Sequence, residues 1–220
     1  MKREVQITAD GSSTIHLPDW NENYHSTHGA IQEAKHVYLK HGLDIMSKSE
    51  ITLLEVGFGT GLNCFLTILA AEQQNVAVHY VGVEAFPVNQ EEVKQLNYIS
   101  ELNAKAYQNV FEQLHSVSWE EKHQISKGFV LEKRQQFFKD ITDVNAFDLV
   151  YFDAFGAEHQ PELWTVAIFK IMFLAMKENG VLVTYCAKGI VRRAMQEVGF
   201  KVERLQGPPG KREMLRAIKL

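Results

Sequence analysis

Three groups of residues in this 220-residue chain have types and spacings suited to chemistry at one place. Gly57, Gly59 and Gly61 stand at every second position in ITLLEVGFGTGLN, residues 51–63. Glycines at such a turn let the backbone take positive φ, and a ligand can come close because no Cβ intervenes. The helix that follows presents free N–H groups and a partial positive charge, which suit an anionic group. Glu84 closes VAVHYVGVEA, residues 76–85, and lies 23 residues after Gly61. A carboxylate at the tip of a second strand is placed to accept both hydroxyls of a ribose. Asp153 closes FDLVYFD, with Phe155 two residues on. That puts a carboxylate and an aromatic in the crevice where open α/β sheets bind ligands. The plain alternatives are a ligand-free strand–helix turn, a solvated strand end and an Asp that caps the next turn.

The elements that must position these residues follow from the pattern. Residues 51–56 form an apolar run interrupted by Thr52 and Glu55, a strand, and a helical pattern starts at Leu62. The valine-rich alternation of 76–85 is a second strand, 128–132 a third and 147–153 a fourth. Pro87 opens a helix over 88–102, and 104–124 reads as an added helical region. A helix over 161–177 leads to a strand over 181–186, then a helix over 189–198. Strands over 200–205 and 212–220 flank the turn QGPPG, so they should run antiparallel. Upstream, 1–20 is an irregular or β lead-in. Residues 21–42 read as a helix with Ala30, Ala34, Val37 and Tyr38 on one face, Ser26 or Thr27 as N-cap and Gly42 as its stop. The expected fold is α/β and doubly wound, a mostly parallel seven-stranded sheet with an antiparallel last strand and helical additions. It is one domain, 1–220, with a lead-in over 1–45 and a core over 46–220.

Composition narrows the class. Apolar residues make up 45% and charged residues 23%, as in ordinary globular chains. No stretch is apolar enough for a membrane span, and the N-terminus has no secretory h-region, which points to a cytoplasmic protein. Cys64 and Cys186 sit in apolar settings that suit buried thiols. His25, His28, His36 and His41 lack the convergent partners of a metal site and read as surface or capping histidines, so no metal is expected. Net charge is −4, unevenly spread: 185–220 carries nine Lys and Arg against three Glu, a balance of +6, leaving −10 elsewhere. A basic face on an acidic protein can steer a polyanion, although a solvated lysine-rich end has the same composition.

The turn is G-x-G-x-G, one residue shorter than the dinucleotide fingerprint G-x-G-x-x-G. It resembles the first motif of class I methyltransferases that use S-adenosylmethionine. Glu84 suits an adenosyl cofactor and NAD alike, but the closing hairpin is similar to that of the methyltransferases. More specifically, EVGFGTGLN, YFDAF with PELW downstream, VRRAMQEVGF followed by GKREML, and the lead-in YHSTHGAIQEAKHVYL resemble the bacterial tRNA methyltransferase domain MnmD. That domain is also the N-terminal half of the bifunctional MnmC. The resemblance spans about residues 20 to 220.

It implies methylation of the exocyclic amine of 5-aminomethyl-2-thiouridine at the tRNA wobble position, giving 5-methylaminomethyl-2-thiouridine. By the same resemblance Gly57, Gly59 and Gly61 shape the cofactor turn, Glu84 takes the ribose, and Asp153 is the catalytic aspartate with Phe155 beside it. Tyr24 and Ser26 close over cofactor or substrate. Lys188, Arg192, Arg193, Lys211 and Arg212 are the candidates for tRNA phosphate contacts. Where the family usually has Gly-Asp, this chain has Lys133-Arg134, which leaves Gln135 or backbone to meet the adenine. With no oxidase domain before the end at Leu220, a separate enzyme is expected to supply the aminomethyl substrate. The alternatives are a methyltransferase or aminopropyltransferase acting on a small amine, and an inactive binding module of the same fold.

Overall fold

The computed structural model describes residues 2–220. In chain order its strands and α-helices are β1 (Glu4–Ile7), β2 (Ser13–Leu17), β3 (Glu22–Asn23), α1 (Ala30–Ala34), β4 (Glu50–Val56), α2 (Leu62–Gln74), β5 (Ala77–Val83), α3 (Gln90–Val93), α4 (Tyr98–Glu101), α5 (Gln108–Ser116), β6 (Lys122–Ser126), β7 (Phe129–Arg134), β8 (Phe147–Phe152), α6 (Val166–Ala175), β9 (Met176–Thr184), α7 (Gly189–Glu197), β10 (Lys201–Gln206) and β11 (Glu213–Ile218).

The main sheet has the order β10-β11-β9-β8-β4-β5-β7-β6. From β9 to β7 neighbouring strands are parallel, and β11 runs antiparallel to both β9 and β10, as the Gly/Pro turn requires. The doubly wound, mostly parallel class is as expected, with an eighth strand added at one edge. That strand is β6, antiparallel to β7, in a stretch that its sequence suggests is helical. Only Ile125 of its five residues is buried, so it shows no apolar alternation. The chain departs from β4 in both directions, to β5 on one side and β8 on the other. The reversal opens a crevice beyond the carboxyl ends of these strands.

Two apolar clusters cover the two sheet faces. Leu53, Tyr80, Phe65 and Tyr151 belong to one, and Leu54, Val81, Phe152 and Phe169 to the other. Successive residues of β4 therefore feed opposite layers, which is why the strand reads as a near-continuous apolar run.

The lead-in differs most from expectation. Residues 22–23 pair with β2, so β1, β2 and β3 make a small antiparallel sheet, and the helix is confined to α1 with a wide π-type turn over Lys35–Lys40. The free amides at the start of α1 are capped from far upstream. Thr8 Oγ1 accepts from Ala30 N–H, Ser12 Oγ from Ile31 N–H and Asp10 Oδ2 from Gln32 N–H, at 3.3, 3.3 and 2.9 Å. The cap thus comes from the 8–12 turn rather than from Ser26 or Thr27. It also ties the small sheet to the core.

Candidate active site

A cavity of about 820 Å³ opens where β4, β5 and β8 end. The ladders run one step past the strands and fix the three tips: Gly57 and Phe58 donate to Val83 O, Asp153 to Val56 O and Glu84 to Arg134 O. Gly57 has φ +95°, and a Cβ on it would lie 2.4 Å from the carbonyl oxygen of Asp153. Glycine is therefore what allows the turn and the β8 tip to touch. Over Gly59, at φ +49°, packs the ring of Tyr24.

Glu84 sits on the cavity wall, with each carboxylate oxygen held by a backbone amide, Oε2 by Gly59 N–H at 3.1 Å and Oε1 by Phe86 N–H at 2.9 Å. Each oxygen keeps a lone pair for a further donor, which is the arrangement a vicinal diol needs. Beside it stand the exposed rings of Phe86 and Phe137, edge to face at 5.9 Å. These two line the cavity where a planar heterocycle next to a ribose would lie; Gln135 does not line it, and its backbone N–H donates to Glu120 Oε1.

Asp153 lies on the opposite side of the turn. Burial pushes its carboxyl up to about 6, and Glu33 adds to the rise while Tyr38, Asn63 and Lys211 oppose it. Asn63 donates to its Oδ2 at 2.8 Å. The following loop is pinned by Trp164 Nε1–H, which donates to Phe155 O, and by Tyr185 O–H, which donates to Ala154 O, both at 2.8 Å. This accounts for the downstream PELW motif. Phe155 is met edge-on by Trp20 at 5.7 Å and by Tyr24 at 4.9 Å, so three aromatic rings share the cavity wall with Asp153.

The small N-terminal sheet closes the remaining side. Arg3, Leu17, Trp20, Tyr24 and His25 all line the cavity. Arg3 donates to Phe86 O at 2.7 Å and pairs with Glu92, and His159 pairs with Glu22 at 2.6 Å. His25 is no surface residue. It is half-buried between the hydroxyls of Thr14 and Thr60, and desolvation lowers its imidazole to about 4, so it is neutral at physiological pH.

Of the residues singled out from sequence, Gly57, Gly59, Glu84, Asp153, Phe155 and Tyr24 meet at this cavity. Gly61 starts α2 at φ +71°. Ser26 lies outside the lining: its N–H donates to Glu33 and its hydroxyl accepts from His28 N–H. Among the basic candidates, Lys188 pairs with Glu158 at 2.5 Å. Lys211 is held by Glu33 and lies 3.9 Å over the Tyr185 ring. Arg192, Arg193 and Arg212 have no carboxylate within ion-pair distance among the described residues. Sequence reading missed Trp20, Asn63, Phe86 and Phe137. Only Asn63 carried a signal, a polar residue opening an otherwise apolar helix.

The geometry agrees with comparison to known proteins. The family described as S-adenosyl-L-methionine-dependent methyltransferase matches residues 94–220. The chain belongs to this family. The methyltransferase is 29% identical over 222 residues to the tRNA 5-methylaminomethyl-2-thiouridine biosynthesis bifunctional protein MnmC of Burkholderia multivorans, covering 92% of this chain and 33% of that one. The same-named protein of Delftia acidovorans is 27% identical over 99% of the chain. The chain spans about a third of the length of the curated relatives it matches. Among solved structures, MNMC2 from Aquifex aeolicus superposes with a TM-score of 0.81 at 25% identity, over 98% of this chain and 70% of that one. Spermidine synthase from Thermotoga maritima shares the fold alone, with a TM-score of 0.56 at 12% identity.

The cavity suits the cofactor. It combines a glycine turn at a helix start, a doubly held carboxylate with free lone pairs and a pair of exposed aromatic rings.

Proposed function

We propose that this methyltransferase transfers a methyl group from S-adenosylmethionine to the exocyclic amine of 5-aminomethyl-2-thiouridine at the wobble position of tRNA. The product is 5-methylaminomethyl-2-thiouridine. The observation that carries the reading is Asp153: a half-buried carboxylate against the cofactor turn that shares the cavity lining with Phe155, Trp20 and Tyr24. The names of the full-length relatives supply the substrate class.

When bound, S-adenosylmethionine supplies an electrophilic methyl on a sulfonium. Glu84 would take the ribose hydroxyls, with Gly57, Gly59 and Gly61 shaping the turn and Phe86 and Phe137 offering apolar faces to the adenine. The substrate amine enters largely protonated, and a protonated amine has no lone pair. Asp153 attracts the ammonium ion and orients the amine through its N–H groups once a proton is lost. Its raised basicity brings it nearer to the amine than an exposed aspartate, which eases the proton's departure. The Phe155 wall favours cationic character beside it. Tyr24 and the rest of the lead-in cover the reacting groups, so 1–220 works as one domain with the 1–45 segment as its lid. Arg192, Arg193 and Arg212, with Lys188 and Lys211 nearer the cavity, supply the tRNA backbone face. A separate enzyme supplies the aminomethyl group. Acting on tRNA implies a cytoplasmic enzyme, and no helix among the described residues is long and apolar enough to cross a membrane.

The test is transfer of labelled methyl from S-adenosylmethionine to tRNA prepared with and without the wobble aminomethyl group. Label in the first only supports the reading. A thermal shift with neither S-adenosylmethionine nor S-adenosylhomocysteine would favour an inactive binding module.

A further inference from the structure

β2 and β3 form a hairpin, with Leu17 paired to Glu22 and residues 18–21 between them as its loop. The loop is tight. Trp20 N–H donates to Leu17 O at 3.1 Å and Asn21 N–H to Pro18 O at 3.3 Å, and Asn21 takes φ +50°, a conformation asparagine tolerates. Loops of this kind usually run over the surface. This one carries an indole, and the indole is half-buried and lines the active-site cavity. Two contacts fix it there. The Phe155 ring stands perpendicular to it at 5.7 Å, and the His159 ring stacks on it with 6.4 Å between centroids and 9° between planes. His159 is in turn held by Glu22, two residues past Trp20, at 2.6 Å. His159 does not line the cavity, so it backs the indole from outside and leaves indole surface toward the interior. The neighbouring rings are engaged: Tyr24 packs on Gly59 of the glycine turn, and Phe155 meets both Trp20 and Tyr24.

We propose that Trp20 is the platform on which the target pyrimidine stacks once it has swung out of the RNA. This rests on the amine-methylating reading above. At about 820 Å³ the cavity is at the large end for a single small-molecule site, so it has room for the cofactor and a base together. An aminomethyl group is short, so the ring that bears it must enter the cavity for the amine to reach Asp153. A base in an RNA loop is stacked on its neighbours, and withdrawing it costs that stacking. An aromatic face at the destination offsets the loss and needs no base-specific hydrogen bond. Glu84, Phe86 and Phe137 stand at the cofactor end, which leaves Trp20 as the aromatic surface open on the Asp153 side. The stacked His159 and its pairing with Glu22 hold the indole in position before the base arrives, so little ordering remains for the moment of binding.

The test uses the full chain, with tRNA bearing the wobble aminomethyl group for turnover and the nucleoside 5-aminomethyl-2-thiouridine as a binding probe. Trp20→Leu, which keeps an apolar side chain without a ring, should lose about ten- to a hundredfold in kcat/KM, and Trp20→Phe should retain most of it. The affinity of both for S-adenosylhomocysteine by calorimetry should stay within about twofold of the parent. Of the three tryptophans Trp20 alone lines the cavity among the described residues. The nucleoside, added with S-adenosylhomocysteine bound, should therefore quench the tryptophan fluorescence of the parent and not that of Trp20→Phe. A leucine variant as active as the phenylalanine variant overturns the proposal, and so does quenching of equal depth in the parent and Trp20→Phe. Loss of S-adenosylhomocysteine affinity in step with activity also overturns it, since Trp20 would then serve the cofactor. The underlying reading fails separately, if the parent methylates no tRNA bearing the aminomethyl group. Should Trp20→Leu not fold, the fluorescence comparison of the parent with Trp20→Phe decides alone.

Discussion

Asp153→Asn should give a protein that is more stable than the parent and nearly inactive. The carboxyl of Asp153 is pushed from its ordinary 3.8 up to about 6, chiefly by burial. At about 1.4 kcal/mol per pH unit, holding the charged form in the fold costs about 3 kcal/mol at neutral pH. The opposing contributions of Tyr38, Asn63 and Lys211 are already within that figure. The folded state holds more protons than the unfolded chain between pH 3.8 and about 6, so this group makes stability fall as pH rises through that window. Asparagine keeps the shape and one acceptor for the Asn63 amide but does not titrate. The gain should vanish below about pH 4 and reach roughly 3 kcal/mol above about pH 7. For a chain of this size that is a rise in Tm of roughly 6–12 °C. The assay is thermal and urea denaturation of both proteins from pH 4 to 8, beside turnover measurements. A variant less stable than the parent at pH 8, or a gain that ignores pH, would refute the argument. The loss of turnover is the other half: the charge that strains the fold is the one that draws in the amine, a trade-off familiar at active sites.

Glu84→Ala should weaken S-adenosylhomocysteine binding by about one to two decades, since bonds to a charged acceptor contribute roughly 1.5–3 kcal/mol; an unchanged Kd by calorimetry removes Glu84 from the ribose site. Gly57→Ala should cost at least about 1–3 kcal/mol and abolish cofactor binding, because its φ is positive and its Cβ would meet Asp153 backbone at 2.4 Å. Gly128→Ala, where the nearest atom is 3.7 Å away, is the control and should leave Tm and binding nearly unchanged. Substituting Arg192 and Arg193 together should raise the apparent tRNA Kd and flatten its salt dependence, with cofactor affinity unmoved. An unaltered slope of log affinity against log salt would place that face away from the RNA.

The parts of the site that sequence made legible are those where one strand ends in one residue. The glycine turn, Glu84 and Asp153 each follow an apolar run directly, and parallel pairing then aligns their tips without further information. What stayed hidden depends on contacts across long sequence distances. Residues 22–23 read as helix until their pairing with His16 and Leu17 makes them an edge strand. That pairing is what brings Trp20 and Tyr24 against Phe155. His25 looked solvent-facing because nothing local shows Thr60 closing over it. The edge strand β6 buries only Ile125 and so carries no periodic signal. Phe86 and Phe137 come from separate loops 51 residues apart, and only the β5–β7 register makes them neighbours.

The central claim is tested most directly by identifying the methylated nucleoside. The protein is incubated with S-adenosylmethionine carrying an isotopically heavy methyl and with tRNA bearing 5-aminomethyl-2-thiouridine, and the digested tRNA is analysed by mass spectrometry. The account predicts 5-methylaminomethyl-2-thiouridine with the heavy methyl, formed by the parent protein and lost in Asp153→Ala. Label on any other nucleoside, or none from a preparation that still binds S-adenosylhomocysteine, would contradict it.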